Sequence, residues 1–511
     1  MKDILKMGKS MVKDYYIMII MKRYILTVFA VAACASSFAQ DQFDAANFAT
    51  GDLNGTARYV GLGGALDALG GDISVMGSNP AGTALFKKTD MAVTGSVLFT
   101  GEDGQLGHDR TRASFDQAGI VFSMNQYNKS KKGLQYINFG INYQKKKNHF
   151  ANADLVIEGL DGTLSQTHQI ATMANASADN NYYGMLTALA DEGALLNVEG
   201  EDTKTYSGVG AESAAYKRHT WGSTTQYDFN VSFNVSNQFF WGLNLGVYDI
   251  DYKRDAAYSE MGVDGVQYVF DNWYDTNGDG FDIKLGMIVR PFVNSPFRFG
   301  LTVHTPTWYR LEDCNGSTLS VYNSVAGNSQ VWDSADPYEY KYRTPWKFGL
   351  SLGHTVGNFL ALGAQYEVSD LSTCHYTSYD WDNDYYFDMM NDKIDNQLKA
   401  QHTLRLGVEV KPVENLAFRL GYNYVSSPIK ENAWKETFYD GYNTETDFTV
   451  WKDTHRITCG VGYRFNGGYF DVAYQYQTQA GDFYAFDDTA LKSTEIKNNR
   501  SQLSATLGFR F

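Results

Sequence analysis

Between residue 90 and its end, this chain repeatedly alternates apolar with polar or small residues, one by one. No other feature constrains its fold as tightly. The last stretch has Leu503, Ala505, Leu507, Phe509 and Phe511 in one phase and Ser504, Thr506, Gly508 and Arg510 in the other. The same period of two recurs at Ile137–Tyr143, Phe281–Val289, Leu404–Val410 and Ile457–Phe465. Successive side chains of a strand point to opposite faces, so each stretch reads as a strand with one apolar face. Fourteen such runs are found: 90–100, 112–126, 134–149, 221–235, 238–252, 279–291, 295–311, 339–355, 358–373, 400–412, 415–427, 453–465, 468–479 and 500–511.

The polar phase separates two kinds of all-β protein. A soluble sandwich places charge on its solvent face. Here the polar phase is Gly, Asn, Ser and Thr, with lone ionisable residues such as Asp228, Arg298, Lys347, Glu367, Arg419, Asp471 and Arg510. Small residues and opposite charges suit a crowded lumen, and the apolar phase suits lipid. A barrel interior needs such charges paired, so they read first as a structural zipper. Trp241, Trp308, Tyr309, Trp346, Tyr424 and Tyr463 stand near run ends, where an interfacial girdle belongs. The connections alternate long and short, from 101–111 against 127–133 to 428–452 against 466–467. The longest is 150–220. Short turns such as Asn294-Ser-Pro296, Gly357-Asn358 and Asn466-Gly-Gly468 carry turn residues. An even strand number with this alternation describes a 14-stranded antiparallel transmembrane β-barrel, its short turns in the periplasm and its long loops outside. Lys129–Gly133 is then periplasmic and Asp380–Asp388 external.

Composition removes several alternatives. Among 511 residues only 8 are Pro, 36 are Tyr and 31 are Phe, which fits neither a beads-on-string chain nor a disordered one. A mean hydropathy of −0.36 excludes a bundle of apolar helices. The net charge of −15 makes nucleic acid an improper partner. Four scattered cysteines give neither a disulfide scaffold nor a metal spacing.

The N-terminus reads as an export signal. Lys22-Arg23 precedes an apolar run from Tyr24 to Ala35, and Ser37-Phe-Ala39 supplies a small-x-small site. Cleavage is expected between Ala39 and Gln40, with Met21 the natural start. A lipobox at Cys34 is the rival, but the better-formed cleavage site follows it and would remove Cys34. Residues 1–39 are then extension plus signal peptide, 40–89 an N-terminal segment, and 90–511 the barrel.

Residues 41–89 are Gly-dense and without alternation. Fourteen strands enclose a lumen wider than wall side chains fill, and a compact plug is the natural use of such a segment. Gly55-Thr-Ala-Arg58, Gly70-Gly-Asp-Ile-Ser74 and, above all, Asn79-Pro80-Ala81-Gly82 before the first strand resemble the hatch of the FadL-type outer-membrane transporters of hydrophobic compounds. Asp282-Ile-Lys-Leu-Gly286 and Val303-His-Thr-Pro-Thr307 resemble members labelled haemin receptors. The resemblance covers nearly all of the mature chain. It implies uptake of long-chain fatty acids or similar apolar molecules past a hatch gated at Asn79, Pro80, Ala81 and Gly82, with no cofactor. Implied partners are the hydrophobic ligand, outer-membrane lipid and lipopolysaccharide, and the barrel assembly machinery through Phe511, on a monomer.

Other motifs carry less. Gly61-Leu-Gly-Gly64 lacks the third glycine of a dinucleotide loop, since Leu66 stands there. Asp275-Thr-Asn-Gly-Asp-Gly280 begins like a calcium loop, but Gly286 stands where the bidentate Glu belongs, so it reads as an acidic loop tip. The Asp380–Asp388 cluster reads as a solvated outer loop, with divalent bridging to lipopolysaccharide its alternative. No nucleophile elbow, carboxylate dyad or metal cluster supports an enzyme. Tyr182, Met185, Leu186 and Leu189 fall at helical spacing in the long loop. They form either that loop's own small core or, if exposed, an outer ligand groove. Two rival functions remain: an open diffusion pore, which needs no plug, and a surface-loop interaction protein, haemin binding included, for which no axial-ligand pair stands out.

Overall fold

A computed structural model describes residues 40–511 apart from 101–110, 127–131, 179–183, 201–203, 380–383 and 438–443. Fourteen antiparallel staves close on themselves. They are β1 (Asp90–Thr100), β2 (Thr111–Asn125), β3 (Leu134–Asn148), β4 (Ala211–Val235), β5 (Phe239–Gly262) and β6 (Gln267–Val289). Three broken staves follow: β7 (Arg298–His304, then Trp308–Tyr322), β8 (Tyr338–Arg343, then Lys347–Val356) and β9 (Leu360–Asp370, then His375–Ser378). The rest are β10 (Ala400–Val413), β11 (Leu416–Val425), β12 (Phe448–Phe465), β13 (Gly468–Tyr484) and β14 (Arg500–Arg510). Closure is made by β1 against β14, in unbroken register from Asp90↔Arg510 to Thr100↔Arg500. A closed sheet has no edge, so every ladder donor and acceptor has a partner without water.

The alternation sorts as the period of two requires. On β5, Phe239, Trp241, Leu243, Leu245 and Val247 face outward, and the next outward position is Asp249. That is nine residues of apolar wall, the length a tilted strand needs to cross a bilayer. On β14, Leu503, Leu507 and Phe509 face outward while Gln502, Ser504 and Thr506 are buried inside. Trp241, Trp308, Trp346 and Tyr463 lie on the outer face. Tyr309 does not belong to the girdle: it faces inward and is 3% exposed. No helix among the described residues is long and apolar enough to cross a membrane.

Four staves reach about ten residues further at the long-loop end than the alternation indicated: β4, β5 and β6, with 25, 24 and 23 residues, and β7, which runs on to Tyr322. Beyond the apolar belt their outward positions turn polar, as at Asp249 and Asp279, so the contrast between phases fades although pairing continues. The Asp275–Gly280 stretch lies inside β6, paired on both sides, and forms no loop around an ion. β7 and β8 are broken at neighbouring points by Pro306 and Pro345, which have no donor for the ladder, and Thr344 N bonds Thr307 O across the gap.

Above the belt the long staves and the 150–220 connection build a lobe with its own core. α3 (Gln166–Ala178) and α4 (Met185–Glu192) pack there, with Ile170, Leu186, Leu189, Tyr258, Phe270 and Leu319 fully buried.

Candidate functional site

Residues 40–89 contribute no strand before Asp90. They form α1 (Gln42–Ala49), α2 (Ala57–Gly61) and two single-turn helices, Ile73–Gly77 and Pro80–Leu85. Each start is capped by a short polar side chain, as exposed helical N–H groups require. Asp41 accepts from the amides of Phe43 and Asp44, Thr56 from Tyr59, Asp72 from Ser74, and Asn79 from Ala81. Gly63 and Gly70 turn the chain at φ of 63° and 60°, a region that an L side chain adopts only under strain.

This segment lies against the inward face of the wall. Glycines of the polar phase make room for it. A Cβ at Gly242 would strike Pro80 O, at Gly286 the Asn79 side chain, at Gly363 Ala65 O, and at Gly407 Leu62 O. The small residues of that phase are therefore cut to the segment's shape, not only to a crowded lumen. Polar wall residues then meet its backbone. Ala57 N donates to Thr506 Oγ1 at 2.7 Å, Asn138 Nδ2 to Thr83 O at 2.7 Å, and Arg298 Nη1 to Leu69 O at 2.6 Å. Thr83 Oγ1 lies 2.6 Å from Asn230 Oδ1, and His304 Nε2 is 2.8 Å from Ser78 O.

Asn79, Pro80, Ala81 and Gly82 come together at one buried turn. Asn79 is fully buried, and its Nδ2 donates to Asp67 O at 3.0 Å while its Oδ1 accepts from Ala81 N at 3.1 Å. Gly71 N donates to Gly82 O at 3.1 Å, joining the turn to the Gly70-Gly71 bend. The four residues named from the sequence thus sit against β5 and β6, within the barrel wall.

Met185, Leu186 and Leu189 lie on α4, each about 2% exposed or less, in the core of the outer lobe. Tyr182 lies outside the described residues. The face that these three share is closed by α3 and the strand tips.

Most of the lone charges of the polar phase are inside and paired, Arg298 and Lys347 being without an ion-pair partner among the described residues. Arg419 bonds Glu409 at 2.7 Å and Asp471 at 2.5 Å. Lys284 lies 3.7 Å from Asp228 and 3.5 Å from Asp282, and Arg405 lies 3.5 Å from Glu367. Arg58 of the segment joins this network at Glu409, 3.2 Å away. The alternation puts Glu409 in the polar phase with Arg405 and Gly407, but only the fold shows that it joins Arg419 and Arg58.

A row of inward tyrosines was also missed. Tyr248, Tyr309, Tyr342 and Tyr376 follow one another with ring centroids 5.8, 6.2 and 4.9 Å apart. α1 rests on this row: Tyr342 donates to Ala45 O at 2.6 Å and Tyr376 to Asp41 O at 3.4 Å. The signal was present in the phase of these tyrosines, but aromatic residues near strand ends read first as a girdle.

Two carboxyls of the segment, those of Asp44 and Asp67, are pushed up to about 7 by burial. Burial pushes the Asp67 carboxyl up from 3.8 to about 7, opposed by Arg405 and by the Ser78 hydroxyl that donates to it at 2.5 Å. A raised pKa means that the packed state holds its proton while the loosened state has released it. Packing of residues 62–79 is therefore favoured at low pH and weakens as pH rises from about 4 through about 7. Hydrogen exchange of this stretch, corrected for intrinsic rates, is expected to be faster at pH 8 than at pH 5. Asp67→Asn is expected to flatten the difference, and an unchanged pH profile in that variant would exclude Asp67 as its source.

No family model and no curated protein matches the sequence. Solved structures do match. A FadL homologue of Pseudomonas aeruginosa is 13% identical with a TM-score of 0.50, over 91% of this chain and 100% of that one. The toluene transporter TodX of P. putida is likewise 13% identical with a TM-score of 0.50, over 90% of this chain and 99% of that one. Fourteen staves, closure of the first on the last, and these likenesses together give the chain the fold of the FadL-type outer-membrane barrels.

Proposed function

We propose that the protein is an outer-membrane channel for hydrophobic compounds, long-chain fatty acids among them, with residues 40–89 as its hatch. The observation that carries this reading is the fit of the segment to wall glycines such as Gly242, Gly286, Gly363 and Gly407. A diffusion pore has no use for a lumen cut to hold its own N-terminus. The names of the two similar barrels, a FadL homologue and a toluene transporter, support the same class of cargo. In this reading the wall lies in lipid, the short turns in the periplasm and the lobe outside, amid lipopolysaccharide, and the apolar belt and the alternation of short and long connections support it. The chain acts as a monomer, cleaved before Gln40 and assembled through Phe511.

Ligand is first caught at the outer lobe. There the α4 face of Met185, Leu186 and Leu189, buried in the lobe core, becomes a groove when the lobe opens. It then meets the tyrosine row, whose rings offer apolar faces and two of whose hydroxyls, those of Tyr342 and Tyr376, donate to carbonyls at α1. Passage follows when the Asn79-Pro80-Ala81-Gly82 turn leaves the wall. A ligand shifts that equilibrium only as far as it binds one state better than the other.

The test is Asn79→Ala. It removes the acceptor of Ala81 N and the donor to Asp67 O in a buried site, a cost of about 1–3 kcal/mol. That is enough to loosen the turn while the wall's ladders stay intact. Uptake of a labelled long-chain fatty acid and of toluene into cells is expected to change, with barrel assembly normal by heat-modifiable mobility. Uptake of both probes equal to the parent would remove the turn from the gate.

A further inference from the structure

The chain carries a net charge of −15, yet its short-turn mouth is strongly cationic. A cavity of about 290 Å³ opens there between the N-terminal segment and the ends of β4–β7 and β10–β14. Eight of its lining side chains are Arg or Lys, and three are carboxylates. Half of the cations are accounted for. Arg58, Arg419 and Lys411 share Glu409, with Asp72 and Asp471 as further partners, and Arg510 pairs with Asp90.

The other half are not. Among the described residues, no carboxylate lies within ion-pair distance of Lys87, Arg290, Arg298 or Arg464. Arg290 spends its guanidinium on carbonyls of its own turn, Ser295 O at 2.7 Å and Val293 O at 3.0 Å. Arg298 donates one Nη to Leu69 O, and its buried Nε has no partner. Lys87 and Arg464 stand exposed at the rim. A buried guanidinium donor without an acceptor is costly, and gathered like charges in a partly enclosed space raise one another's energy. Both costs fall when an oxyanion enters, because the planar guanidinium fork matches two oxygens of a phosphate, sulfate or carboxylate.

We infer that this mouth binds a small oxyanion at Arg298, with Arg464 and Lys87 lining the same cavity and adding to its positive potential. The site lies at the opposite end from the outer lobe, and it does not depend on what crosses the barrel. The shared chemistry is an oxyanion, supplied either by a water-borne phosphate or by the headgroup of an anionic lipid. The ring of strand ends around the cavity favours the first source.

The test uses the whole mature protein in phosphatidylcholine nanodiscs, titrated calorimetrically with inorganic phosphate at pH 7.5. Saturable binding at one site per barrel is expected, with Kd at least tenfold higher for Arg298→Gln. If that variant fails to assemble, the exposed pair Lys87→Gln and Arg464→Gln is expected to give the same loss together. Absence of phosphate heat, combined with phosphatidylglycerol retained by the parent and not by the variants in native mass spectrometry, assigns the site to a lipid headgroup. Neither probe bound, or binding equal in parent and variants, overturns the inference. None of these outcomes bears on apolar-solute uptake, so the site and the transport reading fail separately.

Discussion

Deleting residues 41–89 is expected to leave an assembled barrel that conducts small ions at least tenfold better than the parent and no longer discriminates among solutes. Fourteen staves enclose more space than their own inward side chains fill. In this chain many inward positions that would fill it are glycines, such as Gly286, Gly407 and Gly421, whose Cβ space is taken by the segment. Removing the segment therefore opens the lumen along that track rather than letting the wall collapse inward. The wall itself loses no ladder bond, since β1 and β14 pair directly. Planar-bilayer conductance and heat-modifiable mobility check the two halves of the statement. A deletion whose conductance and apolar-solute uptake both equal the parent's would sink the hatch.

Glu409→Gln is expected to release the segment without deletion. One carboxylate of β10 serves three cations: Arg419 at 2.7 Å, Lys411 at 3.0 Å and Arg58 at 3.2 Å. It is 1% exposed, so its loss strands positive charge away from water, and breaking a buried pair in this way costs about 3–5 kcal/mol. The wall has a reserve, because Arg419 keeps Asp471. Arg58 has a weaker one, Asp72 at 3.9 Å. The damage should therefore fall on the segment, as lost exchange protection over residues 55–75 in a barrel of normal mobility. Protection equal to the parent's would show that Glu409 does not latch it.

The strands were legible because one rule acts on every residue of them. Within the belt, the contrast between lipid and lumen is large, and boundaries such as 90–100 and 400–412 come within a residue or so of the staves. Above the belt both faces of β4–β6 meet water or polar neighbours, so the alternation loses contrast while the ladder runs on. For the same reason Asp275–Gly280 read as a loop tip although it is paired strand. Tyr309 was misplaced because a tyrosine satisfies either face: its ring suits a membrane interface, and equally a packed row under α1. The Asn79–Gly82 turn was legible from its residue types alone. Its partners were not, because Gly286, Asn230 and Asn138 are brought to it by barrel closure, and nothing in local sequence marks which glycine in a strand faces which backbone atom.

The bond from Ala57 N to Thr506 Oγ1 joins residues 449 positions apart, and Thr506 belongs to the last stave. The start of the described chain and its last stave are thus stitched together twice, once through the wall where β1 meets β14 and once across the lumen side through Thr506.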